Sequence, residues 1–188
     1  MKFCFRGVRF ELSFIAVAAM SLVLILDTTG KVVACFISAL IHECGHLLAM
    51  YCFKVKPQCV SLRVFDVAIV ASGDRPLVAD LIITLAGPVI NFLSAFVFYY
   101  FSPMLFVSSV VIGLFNLLPI ETFDGGHALF LLLSERFSVK TCVIIQKTLT
   151  LLLLIPCLTF GILMLFYSKY NYSLLLISLY LLAVLFIK

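Results

Sequence analysis

The chain has 188 residues, 64% of them hydrophobic and 12% charged, with a mean hydropathy of +1.26. That excludes an ordinary soluble domain, in which about a quarter of residues are charged. The net charge of +4 comes from basic residues scattered one or two per loop, with no stripe alternating with aromatics, which argues against a nucleic-acid interface. The seven cysteines are odd in number, include no Cys-x-x-Cys pair and lie mostly in apolar runs, so they read as small buried apolar residues and no disulfide framework is expected.

Apolar runs at Phe10 to Leu26, Val32 to Phe53, Leu77 to Phe101, Met104 to Leu133, Thr141 to Tyr167 and Tyr172 to Ile187 predict about six transmembrane helices. The first and last are short for a bilayer that needs about 20 residues per span. Lys2, Arg6 and Arg9 before the first run resemble the start of a signal peptide, but no small-residue cleavage site follows. The first run is therefore read as a retained helix, and Asp27 to Gly30 as a short turn into the second. The segment from Lys54 to Pro76 has Val60, Leu62 and Val64 alternating with Ser61 and Arg63, the period of a half-buried strand, and predicts a β-hairpin at the membrane surface. Pro119 and the polar residues Glu121 to Gly126 interrupt the fourth run, which predicts a broken helix whose unwound backbone faces protein or water.

The expected fold class is thus an all-α polytopic membrane protein, with a small β-hairpin at 54–76 after the second helix and one membrane-embedded domain over 1–188. Placing the amino terminus in the cytoplasm puts most lysines and arginines on that side, with Lys31 and Lys169 outside, as the positive-inside rule requires. Both termini are then cytoplasmic. Tyr99, Tyr100, Tyr167, Tyr170 and Tyr172 suit an outer interfacial belt.

Residues 40 to 50 read LIHECGHLLAM, placing three ionisable groups within an apolar run. Each costs roughly 2.5–3.5 kcal/mol at a bilayer centre on insertion scales and needs a partner. His42, Glu43 and His46 form His-Glu-x-x-His. On a helix, residues four apart share a face, so both imidazoles reach one metal ion and Glu43 lies beside a water on it. A catalytic zinc takes three protein ligands and keeps a position for water. The candidates for the third are Asp124, Glu121 and His127, all at the break in the fourth run. Asp124 is favoured because Gly125 and Gly126 permit close backbone approach, while Asn116 and Pro119 supply the unwound turn. His46 lies roughly 12 Å of helix before Lys54 and Asp124 roughly 18 Å before Arg136, so the two half-sites have similar depth, nearer the cytoplasmic face.

HECGH at 42–46, AGPVIN at 86–91 and NLLPIETFDGG at 116–126 together resemble the intramembrane site-2 metalloprotease family, in particular its sporulation-type branch. The resemblance runs from the second span to the start of the fifth. It implies a zinc-dependent intramembrane endopeptidase with one Zn2+ held by His42, His46 and Asp124, Glu43 as general base, and Asn116 as a substrate contact near the metal. Gly87, Pro88 and Asn91 would shape the third helix against the site. The implied partners are a membrane-embedded or membrane-associated protein substrate, the lipid bilayer and a membrane regulatory protein. Two departures from the family are the lack of any visible PDZ module and of a CBS segment, which puts nucleotide sensing in doubt. Two rival readings are an ion-binding transporter, for which no second copy of the interrupted segment is visible, and an inactive relative that only binds helices, against which the intact Glu43 argues.

Overall fold

The structure is a computed structural model that describes residues 2–5, 8–12, 21, 24–25, 27–55, 57–62, 67–71, 75–168, 175, 178–179 and 182. The chain divides into two compact units, Met1–Asn116 and Leu117–Lys188. In the first unit, β1 (Lys2–Phe5) and β2 (Val8–Leu12) precede helix α1 (Lys31–Cys52). Strands β3 (Pro57–Leu62) and β4 (Val67–Ala71) follow it, then helices α2 (Leu77–Phe98) and α3 (Pro103–Asn116).

The four strands form one sheet in the order β1-β2-β3-β4. Antiparallel pairs set Lys2 opposite Glu11 and Leu62 opposite Val67, while β2 and β3 run parallel with Arg9 opposite Cys59 and Leu12 opposite Leu62. Pro57 opens β3, where its missing N–H costs the ladder least, and the register shifts between Pro57 and Cys59. This corrects the expectation of an all-α chain with strands only after the second helix, because Lys2 to Leu12 contributes two of the four. The start of the predicted first span, Phe10 to Leu12, is part of β2. Val8, Phe10 and Leu12 alternate with Arg9 and Glu11, and that period of two fits a strand.

Helix α1 is fixed at both ends by local hydrogen bonds. Asp27 accepts through Oδ2 from the backbone N–H groups of Val32 (2.8 Å) and Val33 (3.2 Å), and through Oδ1 from the Thr29 N–H and hydroxyl, each at 3.0 Å. Two of the amides that a helix start leaves without partners are thereby satisfied. At the other end, Lys54 adopts φ 56°, its N–H donates to Tyr51 O at 3.0 Å, and Val55 N–H donates to Met50 O at 2.8 Å. Those paired bonds are a Schellman stop, which favours glycine at the left-handed position. Lysine occupies it here.

Helices α1, α2 and α3 pack on one another. Hydroxyls join α1 to α3 where Ser38 and Ser109, both fully buried, lie 3.0 Å apart. Their outward faces remain apolar, with Leu48, Val89, Phe96 and Val107 all more than half exposed. In water such a surface would drive aggregation, whereas lipid is a suitable solvent for it. Of the five cysteines whose side chains are described only Cys142 is buried, while Cys35, Cys44, Cys52 and Cys157 are exposed free thiols, so among these five the expectation of buried cysteines holds at one position.

In the second unit, α4 (Asp124–Ser134) and α5 (Val139–Ser168) follow an irregular stretch from Leu117 to Phe123. Ile120 and Leu154 form its buried core, with Leu118, Phe123, Leu153 and Leu182 packed around them. Two buried polar residues of α5, Gln146 and Thr150, serve the same region. Gln146 donates to Gly126 O at 3.0 Å, and Thr150 Oγ1 accepts from Glu121 N–H at 3.4 Å.

Among the described residues three helices are long and apolar enough to cross a membrane: Lys31–Cys52, Leu77–Phe98 and Val139–Met164. Helices α3, with 14 residues, and α4, with 11, are too short to span a hydrocarbon core of about 30 Å. The predicted first and sixth spans, with Tyr170 and Tyr172, lie almost wholly outside the described residues. Tyr99, Tyr100 and Tyr167 are exposed, as a belt requires.

Candidate metal centre

Helix α1 carries His42 and His46 on one face because four residues make just over one turn. Their Nε2 atoms lie 3.2 Å apart, and the rings meet edge to face with centroids 4.8 Å apart. Two nitrogens on a tetrahedral zinc at its usual bond length of 2.0–2.1 Å are ~3.3 Å from each other. The spacing of this pair therefore suits a shared zinc ion. His42 is buried, and His46 and Glu43 are half-buried.

The outer nitrogens of both rings are held by α2. His46 Nδ1 lies 2.8 Å from the Ile83 carbonyl. A carbonyl only accepts, so this nitrogen carries the proton and Nε2 is left with its lone pair. His42 Nδ1 lies 3.2 Å from the side-chain amide of fully buried Asn91.

Gly87 completes the cradle. A Cβ built there would lie 2.7 Å from both Cε1 and Nε2 of His42, and closer still to His46 Nε2. The missing side chain thus leaves space directly in front of the two Nε2 atoms. The nitrogen spacing, the tautomer set by Ile83 and the room left by Gly87 all fit a bound metal ion.

In the second unit, Asp124 is the first residue of α4, and its half-buried carboxylate stands at a helix start where the peptide dipole favours negative charge. The two glycines after it are needed. A Cβ on Gly125 would collide with the carbonyl of Leu117, and one on Gly126 with that of Ile120. The irregular backbone thus lies directly on the first turn of α4. His127 is exposed, and Glu121 is half-buried in the turn before α4. Asn116 ends α3 with its Nδ2 donating to the Ile112 carbonyl at 3.1 Å, which uses one of its two amide hydrogens and closes its own helix.

Sequence reasoning missed three contributors. The Ile83 carbonyl carries no side-chain signal at all. Gln146 and Thr150 were legible in principle as polar residues four apart in an apolar helix, a pattern that marks a buried polar contact.

Comparison with known proteins adds the following. Residues 98–158 match the family model described as peptidase family M50. A zinc metalloprotease of Methanocaldococcus jannaschii is 31% identical over 163 residues, covering 77% of this chain and 45% of the relative. The chain therefore spans less than half the length of that curated relative. Among solved structures, a site-2 protease from Methanocaldococcus jannaschii superposes with a TM-score of 0.71 at 24% identity, covering 96% of this chain and 91% of that one. The fold is the site-2 protease fold.

Proposed function

From a peptidase family M50 segment set in a site-2 protease fold, we propose that this chain is a zinc-dependent intramembrane endopeptidase, cleaving a membrane-embedded or membrane-associated protein. The observation that carries the reading is the histidine pair, with Nε2 atoms 3.2 Å apart and the His46 Nδ1 proton committed to Ile83. Asp124 supplies the third ligand. The chain from 1 to 188 is read as one catalytic domain, in which the interrupted run from Met104 to Leu133 supplies the broken fourth span and the apolar runs after Leu12 and from Tyr172 supply the first and sixth, with both termini in the cytoplasm.

When bound, zinc brings water towards a pKa of about 7 and polarises the scissile carbonyl. Glu43, one residue from His42 on the same helix, takes the proton of the attacking water and returns it to the departing amine, so that it serves first as base and then as acid. A transmembrane helix hides its carbonyls in its own hydrogen bonds, so the substrate is cleaved as an extended strand. The outer strands β1 and β4 offer edges for such a strand to join. The second amide hydrogen of Asn116 serves a substrate carbonyl.

The test uses purified full-length protein with single-span substrates and metal analysis. Glu43→Gln retains zinc and loses cleavage by at least about a hundredfold, the usual share of general acid–base catalysis, while Asp124→Asn loses both. Undiminished proteolysis by Glu43→Gln overturns the assignment.

A further inference from the structure

The side chain of Asn91 is fully buried, its amide lies 3.2 Å from His42 Nδ1, and its other polar atom, as oriented, has no hydrogen-bond partner among the described residues. Leaving a buried amide half-satisfied is costly. Among the described residues no other hydrogen-bond partner competes for that side chain, so His42 is the contact its orientation answers to. The nearby Ser94 hydroxyl bonds the Asn91 backbone carbonyl and leaves the side chain untouched.

The oriented network is internally consistent without a metal. His46 Nδ1–H donates to Ile83 O, His42 Nε2–H donates to His46 Nε2, and Asn91 Nδ2–H donates to His42 Nδ1. In that arrangement the His42 proton sits on the nitrogen that a shared ion needs. Coordination through both Nε2 atoms requires that proton on Nδ1, which must then meet an acceptor. An asparagine amide offers one. Rotating it by half a turn exchanges Nδ2 for Oδ1 at nearly the same place, with no change in shape.

We propose that Asn91 is a positioning residue for the metal centre, presenting Oδ1 to His42 Nδ1–H when the ion is bound and Nδ2–H to Nδ1 when it is not. Its amide thereby accommodates both tautomers of His42. An apolar side chain at this buried position would offer His42 Nδ1 neither a donor nor an acceptor, whereas the amide offers both. This inference rests on the metalloprotease reading and deepens it by naming the group that sets the first ligand.

The test compares full-length wild type, Asn91→Ala and Asn91→Asp in detergent, measuring zinc affinity by competition with a chromophoric chelator and the visible spectrum of the cobalt(II)-loaded forms. Asn91→Ala weakens zinc binding about 10–100-fold, the usual effect of losing the hydrogen-bond partner of a ligand histidine. Asn91→Asp, an acceptor of the same shape, binds at least as tightly as wild type and keeps the cobalt spectrum. If Asn91→Ala fails to fold, Asn91→Asp still decides, because loss of affinity there means that the amide acts only as a donor. Full affinity in Asn91→Ala, or loss of affinity in Asn91→Asp, overturns the proposal and leaves the metalloprotease reading standing. A wild type that binds no zinc defeats both.

Discussion

Gly87 on α2 stands against His42 and His46 on α1 so closely that a single added carbon would lie 2.7 Å from His42 Nε2. The two helices thus approach each other closely where the two Nε2 atoms need open space.

Gly87→Ala therefore blocks the metal position itself. Forcing a methyl into a packed site costs roughly 1–3 kcal/mol, so zinc affinity falls by about tenfold or more. Metal analysis after dialysis, together with the melting temperature, checks this. Full zinc content in a variant as stable as wild type contradicts the cradle.

Gln146→Leu removes the amide that holds the first turn of α4 to α5. The Gly126 carbonyl, inside α4, then loses this second donor, a loss of about 0.5–1.5 kcal/mol. Thermal or chaotrope unfolding of the purified protein should show the decrease. On the proposed ligand role of Asp124, zinc affinity declines with it.

Lys54→Gly is expected to stabilise the protein. A left-handed residue with a side chain costs roughly 1–2 kcal/mol, and glycine relieves most of that while giving some back as chain entropy, for a net gain of about 0.5–1 kcal/mol. The readout is the melting temperature, and an unchanged or lower value contradicts the Schellman stop at φ 56°.

Asp27 gives a pH-dependent test outside the membrane-spanning helices. Partial desolvation pushes its carboxyl up, but hydrogen bonds from the Val33, Thr29 and Val32 amides and the Thr29 hydroxyl outweigh this and hold it below the ordinary 3.8. A carboxylate with a depressed folded pKa contributes stability above its unfolded value and loses it as the pH falls through the folded one. Asp27→Ala accordingly melts a few degrees lower than wild type near neutral pH. The gap narrows below pH 3.8. A gap independent of pH rules out the carboxylate as its source.

Much of the membrane architecture was legible because lipid imposes a simple requirement of long apolar runs with internally satisfied backbones. The runs around α1, α2 and α5 follow from it directly. The strands were harder. The alternation from Val8 to Leu12 covers five residues and abuts the apolar run that starts at Phe10, so a period of two was overwritten by hydropathy. The parallel partnership of β2 with β3 is carried by no local pattern, since those strands are separated by a whole helix.

At the metal centre the division is equally physical. His42, Glu43 and His46 could be read from the chain because helical periodicity is local, and four residues return to the same face whatever surrounds them. The two glycines after Asp124 were legible for a similar reason, as the places where backbone meets backbone. Which atoms take the outer nitrogens of the two rings was decided by tertiary packing alone. Ile83 and Asn91 lie 37 and 49 residues from their histidines, and only the crossing of α1 and α2 brings a carbonyl and an amide within reach of imidazoles that the sequence places but cannot orient.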